Sequence, residues 1–277
     1  MSEQDNLIGC HPKSPHVYGD WWTCVDMPVT ETKKHRSLEE KKEAREAAVD
    51  QIAKWIVEYH LTEIKREAIE KAKAILEKRH LSEYIDNILV LPTVDKTKKG
   101  NLGEVLLIEY IKASKGYTPF VYKLHYNPNV NQSMKGDDVL LFDEAHLENE
   151  VVYGESKFRK DPSNQVLSEM VGNLEGAKKL PASIGFVANI LSLEGRKELA
   201  ASLMDIHMKL IAGVVPLTNV GFLFSSMSAT PSKDVKQVVE NNLTTSNPRL
   251  VVISVGVENP QEIVDEAFAR ADAILKA

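Results

Sequence analysis

Between Lys135 and Asp161 the chain reads KGDDVLLFDEAHLENEVVYGESKFRKD. Two runs rich in branched and aromatic residues, Val139 to Asp143 and Glu150 to Phe158, are separated by a short polar stretch, the pattern of two strands joined as a hairpin. Asp138 stands directly before the first apolar run, and Glu155, Ser156 and Lys157 fall at the end of the second. Side chains at i and i+2 of a strand point to the same face, so Glu155 and Lys157 stand side by side. Pairing the two strands brings Asp138 next to Glu155. Two carboxylates held together repel, and one stays protonated unless a cation sits between them. Mg²⁺, with Mn²⁺ as a substitute, resolves that conflict, because it prefers octahedral oxygen ligands and keeps several waters.

Working outward, NLGEVLLIEYIKAS predicts a helix from Asn101 to Ser114, with Gly116 placed to end it. This helix adds a third carboxylate, Glu104, to hold the metal or orient its water. Lys157 then has a use beside a metal-bound water: positioning it, lowering its pKa or steadying charge on a phosphate. PFVYKLHY, Pro119 to Tyr126, reads as a further strand, and SNQVLSEMVGNLEGAKKL as a helix capped by Ser163. The order is helix, strand, strand, strand, helix. Two basic runs flank the acidic residues, DKTKKG (Lys96, Lys98, Lys99) and KFRK (Lys157, Arg159, Lys160). Lys98, Lys99, Arg159 and Lys160 are the expected DNA contacts, since phosphate attraction depends on the charges lining a site. Asp137 is the alternative ligand to Asp138, and His125, Gln165 and Glu169 lie near the motif without a role that the pattern demands. The plain alternative is that Asp138 starts a turn while Glu155 and Lys157 are solvated strand-end residues.

Beyond Pro181, SIGFVANIL is ambiguous between strand and buried helix, EGRKELAASLMDIHMKLIAG is helical, NVGFLFSS and RLVVISVGV are strands, and the final segment is a helix. Alternating strands and helices imply a sheet covered by helices. Towards the N-terminus, Ala48, Ile52, Trp55, Ile56 and Tyr59 recur at helical spacing, and Leu61 to Leu76 continues the pattern. This predicts one or two long amphipathic helices over about residues 38 to 80, for packing or partner docking. A division at residue 95 follows, with an N-terminal arm and helices over 1–95 and the chemistry-bearing domain over 96–277.

The 277 residues carry a net charge of −6 and suit one large domain or two modest ones. No apolar stretch approaches the roughly 20 residues that span a bilayer. The start of the chain lacks the pattern of a signal peptide, and two cysteines, Cys10 and Cys24, fit a reducing cytoplasm. Cys10, His11, His16 and Cys24 match no common zinc spacing, and unpaired thiols in a loose N-terminal arm are expected instead.

At Glu104, Asp138, Glu155 and Lys157 the chain resembles the PD-(D/E)xK nuclease superfamily. The runs KKGNLGEVLLIEYI, KGDDVLLF and YGESKFRKD are more narrowly similar to the DUF1837 family, the HamA-like nuclease subunits of the Hachiman antiphage defence system. The likeness covers Lys98 to Leu174 and extends through VVPLTNVGFLFSS, Val214 to Ser226. The family's helix glutamate falls on Glu104, its G-x-D on Gly136 and Asp138, and its E-x-K on Glu155 and Lys157; Asp137 replaces the superfamily's nominal proline. The resemblance implies a restriction-endonuclease-like α/β fold, a central mixed sheet flanked by helices with a helical N-terminal region. It implies a Mg²⁺-dependent DNase working beside a HamB-like helicase that restrains it until phage DNA is processed. No G-x-x-x-x-G-K-[ST] phosphate loop occurs in the sequence, so ATP-driven motion must come from another chain. Two rival readings are an inactive DNA-binding subunit of a helicase complex and a stand-alone restriction or repair nuclease.

Overall fold

A computed structural model describes residues 1–81, 91–132, 139–175 and 183–277. Two short helices, α1 (Glu3–Ile8) and α2 (Val17–Trp21), precede strands β1 (Trp22–Asp26) and β2 (His35–Glu40). Helices α3 (Arg45–His60), α4 (Glu63–Lys78) and α5 (Asp95–Lys115) follow, then the hairpin strands β3 (Val139–Phe142) and β4 (Val151–Phe158). The remainder runs α6 (Asn164–Glu175), α7 (Ser183–Leu193), α8 (Lys197–Ile211), β5 (Leu217–Ser226), α9 (Val235–Asn242), β6 (Leu250–Val257) and α10 (Pro260–Lys276).

The strands form one six-stranded mixed sheet in the order β1-β2-β6-β5-β4-β3. The four central strands β2, β6, β5 and β4 are parallel, and an antiparallel strand closes each edge. Parallel strands need both faces covered, and their sequences accordingly read as continuous apolar runs. Every residue of β6 is buried. On one face Leu141, Val152, Phe222 and Ile253 pack under α3, α5 and α10; on the other Tyr153, Leu223 and Val252 pack under α6 to α9. The expected α/β architecture, a mixed sheet flanked by helices with a helical N-terminal region, is what the chain forms.

The hairpin takes the expected antiparallel form, with Val139 opposite Gly154. The predicted strand over Pro119 to Tyr126 does not form. Thr118 exchanges two backbone hydrogen bonds with Phe142, each 3.0 Å, and the chain then leaves the sheet edge and ends in a 3₁₀ turn at Lys123–Tyr126. The aromatic residues that resembled a strand pack individually: Phe120 stacks on Phe142 at 5.0 Å and Tyr122 packs on Tyr59 at 4.4 Å. SIGFVANIL resolves as helix α7.

The N-terminal region also departs from expectation. Residues 38 to 40 belong to β2, while the two-helix alternative holds, with α3 and α4 divided at Leu61. The arm is not loose: Tyr18, Trp21 and Trp22 are buried, and Tyr18 stacks on Trp22 at 4.4 Å while its hydroxyl donates to the Leu106 carbonyl. Buried Arg36 ties the arm down through Asp26 (2.6 Å), Asp5 (2.7 Å) and the Gly9 carbonyl (2.7 Å). A guanidinium presents several donors in a fixed fork, so a single side chain can fasten three separate segments. The α3 face carrying Ile52, Trp55 and Ile56 is core rather than docking surface, at 0%, 7% and 0% exposure.

Candidate active-site groove

The end of β4 opens into a groove between α5 and α6. Lys96, Lys99 and Glu104 line it from α5, Ser156, Lys157, Arg159 and Lys160 from β4 and the loop after it, and Glu169 from α6. Two glycines let α5 lie directly on β4. A Cβ on Gly103 would stand 2.9 Å from the Ser156 hydroxyl, and one on Gly154 would stand 2.6 Å from a Leu107 methyl carbon. A larger residue at either position would force the Ser156 or Leu107 side chain to shift.

Glu155 and Lys157 share a face of β4, as the period of two requires, and Lys157 Nζ lies 2.8 Å from Glu155 Oε1. Glu155 is 8% exposed. Lys157 also reaches Glu169 Oε1 at 3.4 Å. Asn173 Nδ2 donates to Glu155 Oε1 at 2.9 Å. Glu104 pairs with Lys123, whose Nζ lies 3.3 Å from Oε2. Lys99 bonds Asp95 at 2.6 Å and sits 5.5 Å from the centre of the Phe158 ring. The Lys99 ammonium, followed by the Gln261 amide, holds the Asp95 carboxyl below its ordinary value.

The structure therefore brings Glu104, Glu155, Lys157, Lys99, Arg159 and Lys160 to one end of the sheet. Lys98 is not among them. One residue along a helix turns a side chain by about 100°, and Lys98 lies over Phe268 at 5.5 Å, lining a separate depression with Leu91 and Asp272. Asp138, Asp137 and Gly136 lie outside the described residues. His125 faces away from phosphate chemistry, its Nε2 2.8 Å from the Glu58 carbonyl oxygen, and Gln165 is exposed on α6. Sequence reasoning missed Lys123, hidden in the supposed strand, and Asn173. Their signal is purely tertiary, although the spacing of Glu169 and Asn173 on one helix face was readable.

Glu104 and Glu155 offer carboxylate oxygens, the donor type that a hard divalent cation such as Mg²⁺ or Mn²⁺ takes. Among the described residues no three His, Cys, Asp or Glu side chains gather to hold a metal. Glu104 and Glu155 are two of the three expected ligands, and the third, Asp138, lies outside the described residues.

Two other clusters lack access or reactivity. Glu240, His35 and Ser254 form a hydrogen-bonded chain with 2.7 Å links, the order of a nucleophilic triad, but His35 and Ser254 are wholly buried in mid-sheet. They brace β2 and β6 against α9. Near the N-terminus His16 caps α2, His11 lies 3.1 Å from the Tyr110 hydroxyl, and burial pushes the Cys24 thiol up to about 12.

The fold and the groove together define an α/β protein with a mixed six-stranded sheet and an acid–base cluster where β4 meets α5 and α6. The model of the HamA family matches residues 16–271. The chain is 38% identical to the Hachiman protein HamA of Bacillus cereus, over 99% of this chain and 97% of that protein. It belongs to the HamA family. Among the described residues no helix is long and apolar enough to cross a membrane.

Proposed function

We propose that this chain is a metal-dependent DNA nuclease, the effector of a Hachiman antiphage defence system, restrained by a partner helicase. The observation that carries the reading is the Glu155–Lys157 pair, whose lysine lines a groove together with Glu104, Lys96, Lys99, Arg159 and Lys160. Membership of the HamA family supports the defence role.

Glu155 and Glu104, with Asp138, would hold Mg²⁺ or Mn²⁺, and that ion would supply a water acidified enough to attack at neutral pH and a Lewis acid for the phosphoryl oxygen. The chain's own residues do the rest. Lys157 rests between Glu155 and Glu169 within a side chain's swing of the groove, so its ammonium can orient a water or meet the charge developing on a phosphate. Lys99, Arg159 and Lys160 grip the phosphate backbone without reading sequence. Low exposure of Glu155 strengthens these charge interactions relative to water.

Plasmid degradation by the purified chain tests this reading. Cleavage should require Mg²⁺ or Mn²⁺, and Glu155→Ala should abolish it while leaving the circular dichroism spectrum unchanged. Full, metal-requiring activity in Glu155→Ala would remove that residue from the site. No cleavage by the wild-type chain, alone or with its partner, would favour an inactive DNA-binding subunit.

A further inference from the structure

Helix α6 runs antiparallel to β4 along its exposed end, and their repeats match. Two residues of strand advance about 6.6 Å and four residues of helix about 6 Å. Asn173 therefore meets Glu155 while Glu169, one turn earlier, meets Lys157. The helix is seated for this contact. Gly221, opposite Glu155 on β5, leaves room for Met170, whose terminal methyl would stand 2.7 Å from a Cβ there. Buried Asn219 fixes the end of the same helix by donating to the Leu174 carbonyl at 2.6 Å. The amide of Asn173 and the ammonium of Lys157 both converge on one oxygen, Oε1 of Glu155. Neither of these two contacts engages the other oxygen, Oε2.

We infer that Asn173 is a positioning residue, whose side-chain amide holds the Glu155 carboxylate in the orientation that ligates a divalent cation. The inference rests on the metal-dependent reading of the groove. A carboxylate with one oxygen fixed by a neutral donor loses little rotational freedom when a cation arrives. Lys157 alone cannot perform this task, because its ammonium is shared with Glu169 and must be free to move toward a substrate phosphate. Partners that orient a metal ligand in this way are worth about 10- to 100-fold in metal affinity.

The test uses Mn²⁺ alone as the probe, titrated into the full chain and followed by electron paramagnetic resonance of the free ion. Asn173→Ala, and Asn173→Leu as a variant of similar size, should weaken Mn²⁺ binding by about 10- to 100-fold. Duplex binding in EDTA should stay within threefold of wild type. Cleavage should recover toward the wild-type turnover at high metal, a split that general loosening of α6 would not produce. Glu155→Ala runs in parallel. If it abolishes Mn²⁺ binding while both folded Asn173 variants bind Mn²⁺ as wild type does, the positioning role is wrong and the metal site stands. If Glu155→Ala itself binds Mn²⁺ normally, the metal site and the inference fall together.

Discussion

At the scale of single residues, the groove separates two neighbours that the sequence cannot tell apart. Lys98 and Lys99 occur in one basic run, yet only Lys99 lines the groove with Arg159 and Lys160. Reversing Lys99, Arg159 and Lys160 to glutamate should weaken duplex binding on every sequence and flatten its dependence on salt, whereas Lys98→Glu alone should do neither. Fluorescence anisotropy across a salt series measures both, and an unchanged slope in the triple variant would place the DNA path elsewhere. Glu155 and Lys157 were legible because a strand's period of two forces i and i+2 together. Lys123, which pairs with Glu104, was not, since the loop that delivers it reads as a strand until its packing on Tyr59 and Phe142 is seen.

At the scale of elements, α7 was ambiguous with a strand and α9 was missed, but α6, α8 and α10 were legible from apolar periodicity and the parallel strands β4, β5 and β6 from unbroken apolar runs. β1 and β2 were not. TCVD and HRSLEE carry charge and alternate poorly, and buried groups such as Arg36 and His35 depend in part on distant partners, Asp5 and Glu240. The same long-range logic ties α3 to α5 through His60. Its Nδ1 lies 2.7 Å from the Ile56 carbonyl oxygen and its Nε2 lies 2.9 Å from the Asn101 amide nitrogen. Burial holds the imidazole neutral, lowering its pKa to about 4. The unfolded chain takes this proton near 6.5 and the folded chain refuses it until about 4, so stability falls as pH drops through that window. His60 accounts for a loss of up to about 3 kcal/mol. Urea unfolding at pH 7 and pH 4.5 should show the gap between wild type and His60→Gln narrowing. A gap that stays constant would mean that His60 titrates alike in both states.

At the scale of the whole molecule, the amphipathic N-terminal helices were legible as elements, but the use of their apolar faces was not. The face of α3 is consumed by the core, while α4 leaves Ile64 and Ile75 at 81% and 57% exposure. If this segment contacts the proposed helicase partner, the exposed face of α4 is the surface available for it. Changing Ile64 and Ile75 to serine should reduce co-purification with the helicase and leave thermal stability unchanged; Ile52→Ala should instead cost about 2 to 5 kcal/mol of stability. Full retention of the helicase by the folded double variant would move docking to another surface.

On the proposed reading, Glu155 and Lys157 form a reaction centre rather than a solvated ion pair. Single-turnover cleavage at saturating DNA and Mg²⁺, compared between wild type and Lys157→Ala, addresses it most directly. A residue acting on the scissile phosphate should lower the rate by about 100-fold or more, with DNA affinity little changed. A variant that cleaves at the wild-type rate once saturated would contradict the account and leave Lys157 as a phosphate anchor.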